Sequence, residues 1–298
     1  MTRLLLVVAF ILGSSTASVA QIQVETGFQI PPLGSDTTCF RYSFVKGDTL
    51  IYTVQSADSI TFPGQPVLIK VRNEVVSVIC DSVSPESHYT MRITLRNVVE
   101  FQSNGVDTAT RSESPWVGRS ATIVIDSLGN RLRTTSDNDT AATLTPGGAF
   151  QPLLLPTLGG SCGVQNQSWL VEDTTLLVEN GVPEPVFAHS TLWRVIDATD
   201  TLGRHFQQIQ YTQTGLGRVQ VVSNSVNLDM HAVVASFGKL TLDAVLHVPF
   251  HLFATSEDRL EIRLPNGGTQ NGKHHMSLNA RLREVRSADA SRTIVLPR

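Results

Sequence analysis

The chain is poor in charged residues and has no long apolar stretch. Charged residues make up 16% of its 298 residues, against about 25% in an average soluble domain. The formal net charge is −3 and no block of like charge occurs, so the basic footprint of a nucleic-acid-binding protein is absent. The unbroken apolar run at residues 4–12 falls far short of the roughly 20 residues that span a bilayer as a helix. We therefore expect no nucleic-acid partner and no membrane-spanning helix.

That apolar run belongs to a segment with the pattern of a secretory signal peptide. Arg3 supplies a positive start, and the segment ends with Ser18-Val-Ala20, the small-x-small pattern that a signal peptidase needs. We predict that residues 1–20 are removed by a cut after Ala20. The mature chain should then be secreted or periplasmic, without a membrane span, and no cysteine follows the cut to carry a lipid.

Cysteine is also scarce. Three thiols in an oxidising compartment allow one disulfide and leave one sulfur over. Because new N-termini are often loosely held, we expect Cys39 to be left out and Cys80 to pair with Cys162. The alternative is that all three are small buried side chains.

Alternation of apolar and polar residues predicts an all-β fold. Two long runs between residues 67 and 101 predict one hairpin, and they place the following apolar side chains on one face of each strand: Val67, Ile69, Val71, Val75 and Ile79, then Tyr89, Met91, Ile93, Leu95, Val99 and Phe101. These arms exceed the usual strand of about 5 or 6 residues and favour a strongly twisted sheet. We predict long antiparallel strands forming a curved sheet or half-barrel. Residues 240–252 also alternate and predict one strand, at the sheet edge or bulged at Pro249.

The chain divides into two similar stretches. The Val-Ile and His-aromatic positions of residues 78–89 recur at 195–206, an offset of 117. We predict an N-terminal β-meander half at 21–135, a Pro/Gly/Leu-rich connecting segment at 136–163 and a C-terminal β-meander half at 164–298. The alternative to a duplication is that any two hairpins of an all-β chain share such spacing.

The connecting segment contains five large apolar side chains bracketed by prolines: Phe150, Leu153, Leu154, Leu155 and Leu158. Burying five such side chains contributes on the order of 8 to 12 kcal/mol, at roughly 2 each, so the segment should cover something. It either caps an open end of the core or forms a lid over an apolar cavity. The second reading makes these five residues candidate ligand-binding residues.

Catalytic patterns are few. Ser161 lies in a match to G-x-S-x-G, the nucleophile elbow, but the elbow needs a strand before it and a helix after it, and neither neighbour has that pattern. His247 and His251 would lie about 13 Å apart on a strand, too far to share a metal ion. The carboxylates sit at predicted turns. We predict no metal and no cofactor.

We therefore favour a secreted or periplasmic, non-enzymatic β-rich protein. Its partner would be a lipid or other apolar ligand, or a cell-envelope protein, bound on the curved sheet. In outline this resembles the curved sheets of secreted lipid carriers, in architecture alone. One alternative is a hydrolase with Ser161 as nucleophile. Another is an outer-membrane β-barrel, since strands that alternate over about ten residues are its signature, although 6% aromatic residues leaves few for two aromatic girdles.

Overall fold

A computed structural model of the chain describes residues 38–112, 117–136, 154–159, 162–163, 166–179, 182–201, 203–223, 226–287 and 289–295. The predicted signal peptide and three of the predicted site residues, Phe150, Leu153 and Ser161, lie outside these ranges. Cleavage after Ala20 therefore stays a prediction.

Strands dominate the described residues. They are β1 (Thr38–Cys39), β2 (Thr49–Thr61), β3 (Leu68–Val83), β4 (Tyr89–Ser103), β5 (Thr108–Arg111), β6 (Ser120–Ile125), β7 (Arg131–Ser136), β8 (Cys162–Gly163), β9 (Ser168–Glu179), β10 (Val182–Thr201), β11 (Arg204–Ser223), β12 (Val226–Asp243), β13 (Pro249–Arg263), β14 (Thr269–Arg286) and β15 (Ile294–Val295). A 3₁₀ turn at Ala290–Arg292 precedes β15. A helix long and apolar enough to cross a membrane is not found in the part of the chain that is described.

The strands form an antiparallel sheet in the order β7-β6-β4-β3-β2-β14-β13-β12-β11-β10-β9. The first and last strands of this order, β7 and β9, lie side by side, with Cα atoms within 8 Å, so the sheet curls into a nearly closed barrel. β5 and β15 pair with parts of β4 and β14, and β1 pairs with β8 separately. The prediction of long antiparallel strands in a curved sheet is confirmed.

Both predicted halves contribute to this one sheet. Strands β2 to β7 come from the first half and β9 to β14 from the second, and the pairing of β2 with β14 joins them. The described part of residues 36–298 is one compact unit. Whether the halves are a duplication, and where their borders lie, stay predictions.

The core fills one half of the inner surface of the barrel. On β2, for example, Leu50, Tyr52 and Val54 are at most 3% exposed and face inward. The other strands around the sheet contribute further buried side chains that also face inward. Further along the same inner faces the side chains become small or polar and then charged, as at Ser56 and Asp58 of β2. The inner surface therefore has an apolar half and a half with small and polar side chains, which is charged on β2, β3, β13 and β14.

The predicted faces of β3 and β4 are partly wrong. A β-bulge at Arg96 inserts one extra residue, since Val76 pairs with Leu95 and Val75 pairs with Asn97. Met91, Ile93 and Leu95 are buried inside the barrel, whereas Val99 and Phe101 point outward and are 42% and 40% exposed.

On β3 the face that points inward is opposite to the predicted apolar face. Val76, Val78 and Cys80 are buried, and Arg72 and Glu74 share their direction, while Ile69 and Val71 point outward. A single predicted strand at 240–252 is also wrong: β12 ends at Asp243, a turn follows, and Pro249 begins β13 beside a register shift. Proline has no backbone N–H to donate, and at the start of a strand this does not interrupt the hydrogen-bond ladder.

The disulfide joins Cys39 to Cys162, so the predicted Cys80–Cys162 pair is wrong. Cys39 and Cys162 are register partners in the β1–β8 ladder, whereas Cys80 is a free thiol buried in the core. Burial raises the pKa of the Cys80 thiol to about 11. The expectation failed because the residues that follow Cys39 are held firmly: Phe40, Tyr42 and Phe44 are all buried.

Candidate functional site on the inner surface of the barrel

Residues 154–159, which we call the plug, lie against the seam between β7 and β9. The plug forms no strand of its own. Its leucines are core residues: Leu154 is 6% exposed, Leu155 is 1% and Leu158 is 0%. Three of the five predicted ligand-binding residues are therefore found inside the apolar half of the barrel, where they cap its core.

Aromatic side chains hold the backbone of the plug. Three consecutive carbonyl oxygens each accept a hydrogen bond: Pro156 from Tyr42 Oη at 2.7 Å, Thr157 from Trp193 Nε1 at 3.0 Å and Leu158 from Trp169 Nε1 at 2.7 Å. Buried carbonyls need partners, and a strand ladder would normally supply them. Here side-chain donors supply these hydrogen bonds instead, so the plug is held in place without being part of the sheet.

The same aromatic side chains line the inner wall as a continuous row. Trp169 and Trp193 are cross-strand partners on β9 and β10, and Tyr211 is the next partner on β11. The centroids of Trp193 and Tyr211 are 4.9 Å apart, and Phe40 stacks on Trp169 at 5.4 Å. These distances are typical of favourable aromatic pairs. Sequence reasoning missed this row because its members come from distant segments that only the register brings together.

A buried polar cluster closes the seam beside the plug. Thr157 Oγ1 donates to Asp173 Oδ2 at 2.7 Å and contacts the carbonyl oxygen of Gly129 at 3.1 Å. Burial opposes ionisation of Asp173, but hydrogen bonds from His189 and Thr157 outweigh it and lower the pKa of the carboxyl. Arg131 of β7 is almost fully buried, and desolvation lowers the pKa of its guanidinium to about 10. The cluster thus links the plug to β7, β9 and β10.

A second group of charged side chains crosses the inner surface of four neighbouring strands. We call it the charge row: Asp258 of β13, His274 of β14, Asp58 of β2, and Arg72 and Glu74 of β3. His274 Nδ1 lies 2.7 Å from Asp258 Oδ2 and its Nε2 lies 3.2 Å from Asp58 Oδ1. Arg72 Nη2 donates to Asp58 Oδ2 at 2.9 Å.

The charges in this row support one another. Burial disfavours the charged form of His274, but its hydrogen bonds to Asp258 and Asp58 outweigh burial and raise its pKa to about 9. Burial also opposes ionisation of Asp58, yet His274 and Arg72 together lower the pKa of that carboxyl. Desolvation raises the pKa of Glu74, the end member of the row. The row therefore ties strands together rather than presenting a free charge.

The described residues give no support to the hypotheses of a catalytic serine or a metal site. Ser161 lies outside the described residues, and the two residues after it form β8 rather than the start of a helix. Among the described side chains, no three of His, Cys, Asp and Glu are arranged to hold a metal ion.

Comparisons with known proteins are of low similarity. The sequence matches no protein-family model and no curated protein. Among solved structures, Pseudomonas aeruginosa OpdQ is 5% identical with a TM-score of 0.23, over 80% of this chain and 99% of that one. Two structures of OmpT, an outer membrane protein of Vibrio cholerae, are each 8% identical over 80% of this chain and 100% of theirs. Their TM-scores are 0.18 for the loop L8 deletion mutant and 0.20 for the in-vitro folded trimer form. TM-scores this low do not establish a common fold.

Proposed function

We propose that the chain is a non-enzymatic cell-envelope protein that binds an apolar ligand, such as a lipid chain, in the apolar half of its barrel. The observation that supports this is the plug. A segment that is not part of the sheet occupies the apolar half with three leucines and is held there by side-chain donors. In this proposal the plug leucines fill the space that a ligand takes when it displaces them.

The free energy of burying the plug leucines indicates what kind of ligand could displace them. Burial of three leucines contributes about 6 kcal/mol at roughly 2 each, and each aromatic hydrogen bond adds about 1 kcal/mol. A ligand must supply comparable apolar area, which a long acyl chain does and a small polar metabolite does not. Phe150 and Leu153 belong to the same proposal, since they precede the plug in sequence.

The test removes one hydrogen bond that holds the plug and keeps the aromatic ring of the donor residue. Tyr42→Phe removes the hydroxyl that donates to the Pro156 carbonyl at 2.7 Å, which should loosen the plug by about 1 kcal/mol and tighten binding of a fluorescent fatty acid about fivefold. The matched control is Tyr52→Phe, which removes a buried hydroxyl bonded to the Pro249 carbonyl at 2.8 Å rather than to a carbonyl of the plug. Absence of fatty-acid binding, or equal affinity in both variants and the wild type, would falsify the proposal.

The second candidate is an outer-membrane β-barrel. It is favoured by the nearly closed, wholly antiparallel ring of long strands and by the uncharged outer face of β2. It requires the exposed Glu257, Arg259 and Glu261 of β13 to face lipid, where an Arg at mid-depth costs about 2 to 4 kcal/mol. Retention of the chain in host membranes washed with alkaline carbonate would favour this candidate, and its release would favour the first.

A further inference from the structure

Arg131 is a buried arginine without a carboxylate partner. It begins β7, is 6% exposed, and is the cross-strand partner of Ile125, a core residue that is 0% exposed. Its buried Nη1 atom finds no hydrogen-bond partner among the residues with described positions. Within those same ranges no carboxylate oxygen lies within 4 Å of its guanidinium. Burying an unpaired charge is costly, so the site is incomplete as it stands.

Three less buried arginines show the usual arrangement. Arg72, Arg204 and Arg292 are each partly exposed, and each donates to an aspartate. The chain thus supplies a carboxylate to arginines that need one less than Arg131 does, because a charge that keeps contact with water costs less to leave unpaired.

Asp173 of β9 does not serve as the missing partner. Desolvation lowers the pKa of the Arg131 guanidinium, and the opposing effect of Asp173 is the smaller of the two. Both oxygens of the Asp173 carboxylate already accept hydrogen bonds, Oδ2 from Thr157 at 2.7 Å and Oδ1 from the backbone N–H of Thr174 at 2.7 Å. A further anionic group would complete the site.

The plug lies beside Arg131. The backbone N–H of Leu158 donates to the carbonyl oxygen of Leu128 at 2.7 Å, and Thr157 Oγ1 contacts the carbonyl oxygen of Gly129 at 3.1 Å. One residue separates Gly129 from Arg131. A ligand that displaces the plug from the apolar half therefore comes to lie next to the Arg131 guanidinium.

We infer that Arg131 binds the head group of the apolar ligand and that this ligand is a long-chain carboxylate. The guanidinium presents its donors in a planar fork that matches the two oxygens of a carboxylate, and hydrogen bonds between charged groups are about twice as strong as neutral ones. The inference rests on the proposed function, since it needs a ligand in place of the plug. It adds the charge of the head group, which the apolar half alone does not specify.

Competition between a fatty acid and the alcohol of the same chain length tests the inference. Palmitate and hexadecanol each displace a neutral hydrophobic dye, and the wild type should bind palmitate about tenfold to a hundredfold more tightly, as expected for a charged hydrogen bond. Arg131→Met should remove this preference and leave the affinity for hexadecanol unchanged. The matched control is Arg133→Met, which removes an exposed arginine of the same strand and should keep the preference.

Equal affinity of the wild type for palmitate and hexadecanol would overturn the inference and leave the proposed function standing. An unchanged preference in Arg131→Met, or an equal loss of preference in Arg133→Met, would also overturn it. If neither compound binds, the proposed function fails and this inference fails with it.

A measurement on the wild type guards against misfolding of the variants. Palmitate labelled with carbon-13 at its carboxyl reports the ionisation of the head group by NMR. Contact with the guanidinium should lower the pKa of the bound carboxyl below that of the free compound, because a nearby positive charge favours the carboxylate. A bound carboxyl whose pKa is not lowered would count against contact with Arg131.

Discussion

His274 and Asp258 face each other across β14 and β13 with Nδ1 and Oδ2 2.7 Å apart, and the other ring nitrogen of His274 reaches Asp58 on β2. One imidazole therefore bridges three strands, and it lies at the place where the two halves of the chain meet through the β2–β14 pairing. The charge on His274 should matter to the joining of the halves.

We predict that the free energy of unfolding falls as the pH rises from about 6.5 to 9. The folded pKa of His274 is raised to about 9 from 6.5, so its contribution is complete below 6.5 and is lost as the pH rises through 9. The loss should be on the order of 3 kcal/mol, since each pKa unit corresponds to about 1.4 kcal/mol. Urea unfolding at several pH values measures it.

The neighbouring histidine provides the control for this pH dependence. His275 lies on the outer face and is exposed. His274→Gln should flatten the dependence between pH 6.5 and 9, whereas His275→Gln should leave it unchanged. Equal slopes in the two variants would show that the bridge does not carry the effect.

Met91 and Val99 have the same parity in sequence, yet we predict opposite consequences of truncating them. Met91 is 0% exposed inside the barrel and Val99 is 42% exposed outside it. Met91→Ala should lower the free energy of unfolding by about 2 to 5 kcal/mol, and Val99→Ala by about 0.5 kcal/mol or less. Chemical denaturation compares them, and similar losses at both positions would contradict the bulge.

The sequence was sufficient for the strands but not for their faces. Alternation and strand length correctly predicted antiparallel pairing and a curved sheet, because both depend on local pattern. Alternation alone cannot place the single extra residue at Arg96, and that residue decides which side of the sheet Val99 and Phe101 occupy. On β3 both faces carry apolar residues, so the pattern could not say which of them meets the core.

The candidate site was predictable only in part. Five bulky apolar residues bracketed by prolines indicated a segment that must be covered, and the plug leucines are indeed buried. Their anchors were not predictable, because Tyr42, Trp169 and Trp193 are brought to consecutive carbonyls by strand register and by the path of the N-terminal residues. The charge row likewise depends on pairing between strands that are distant in sequence, such as β2 and β14.

The disulfide should stabilise the fold, because it fixes both segments that cover the apolar half of the barrel. Cys39 precedes the buried Phe40 and Tyr42, and Cys162 follows the plug, at a sequence separation of 123. A loop of that length predicts a stabilisation of about 5 kcal/mol from restriction of the unfolded chain. Cys39→Ser should therefore lower the free energy of unfolding by roughly that amount, and the tryptophan emission should shift as Trp169 loses Phe40. Non-reducing peptide mapping should recover Cys39 linked to Cys162 in the wild type, with Cys80 alkylated only after unfolding. Recovery of a Cys80–Cys162 peptide would instead restore the pairing expected from the loosely held N-terminus.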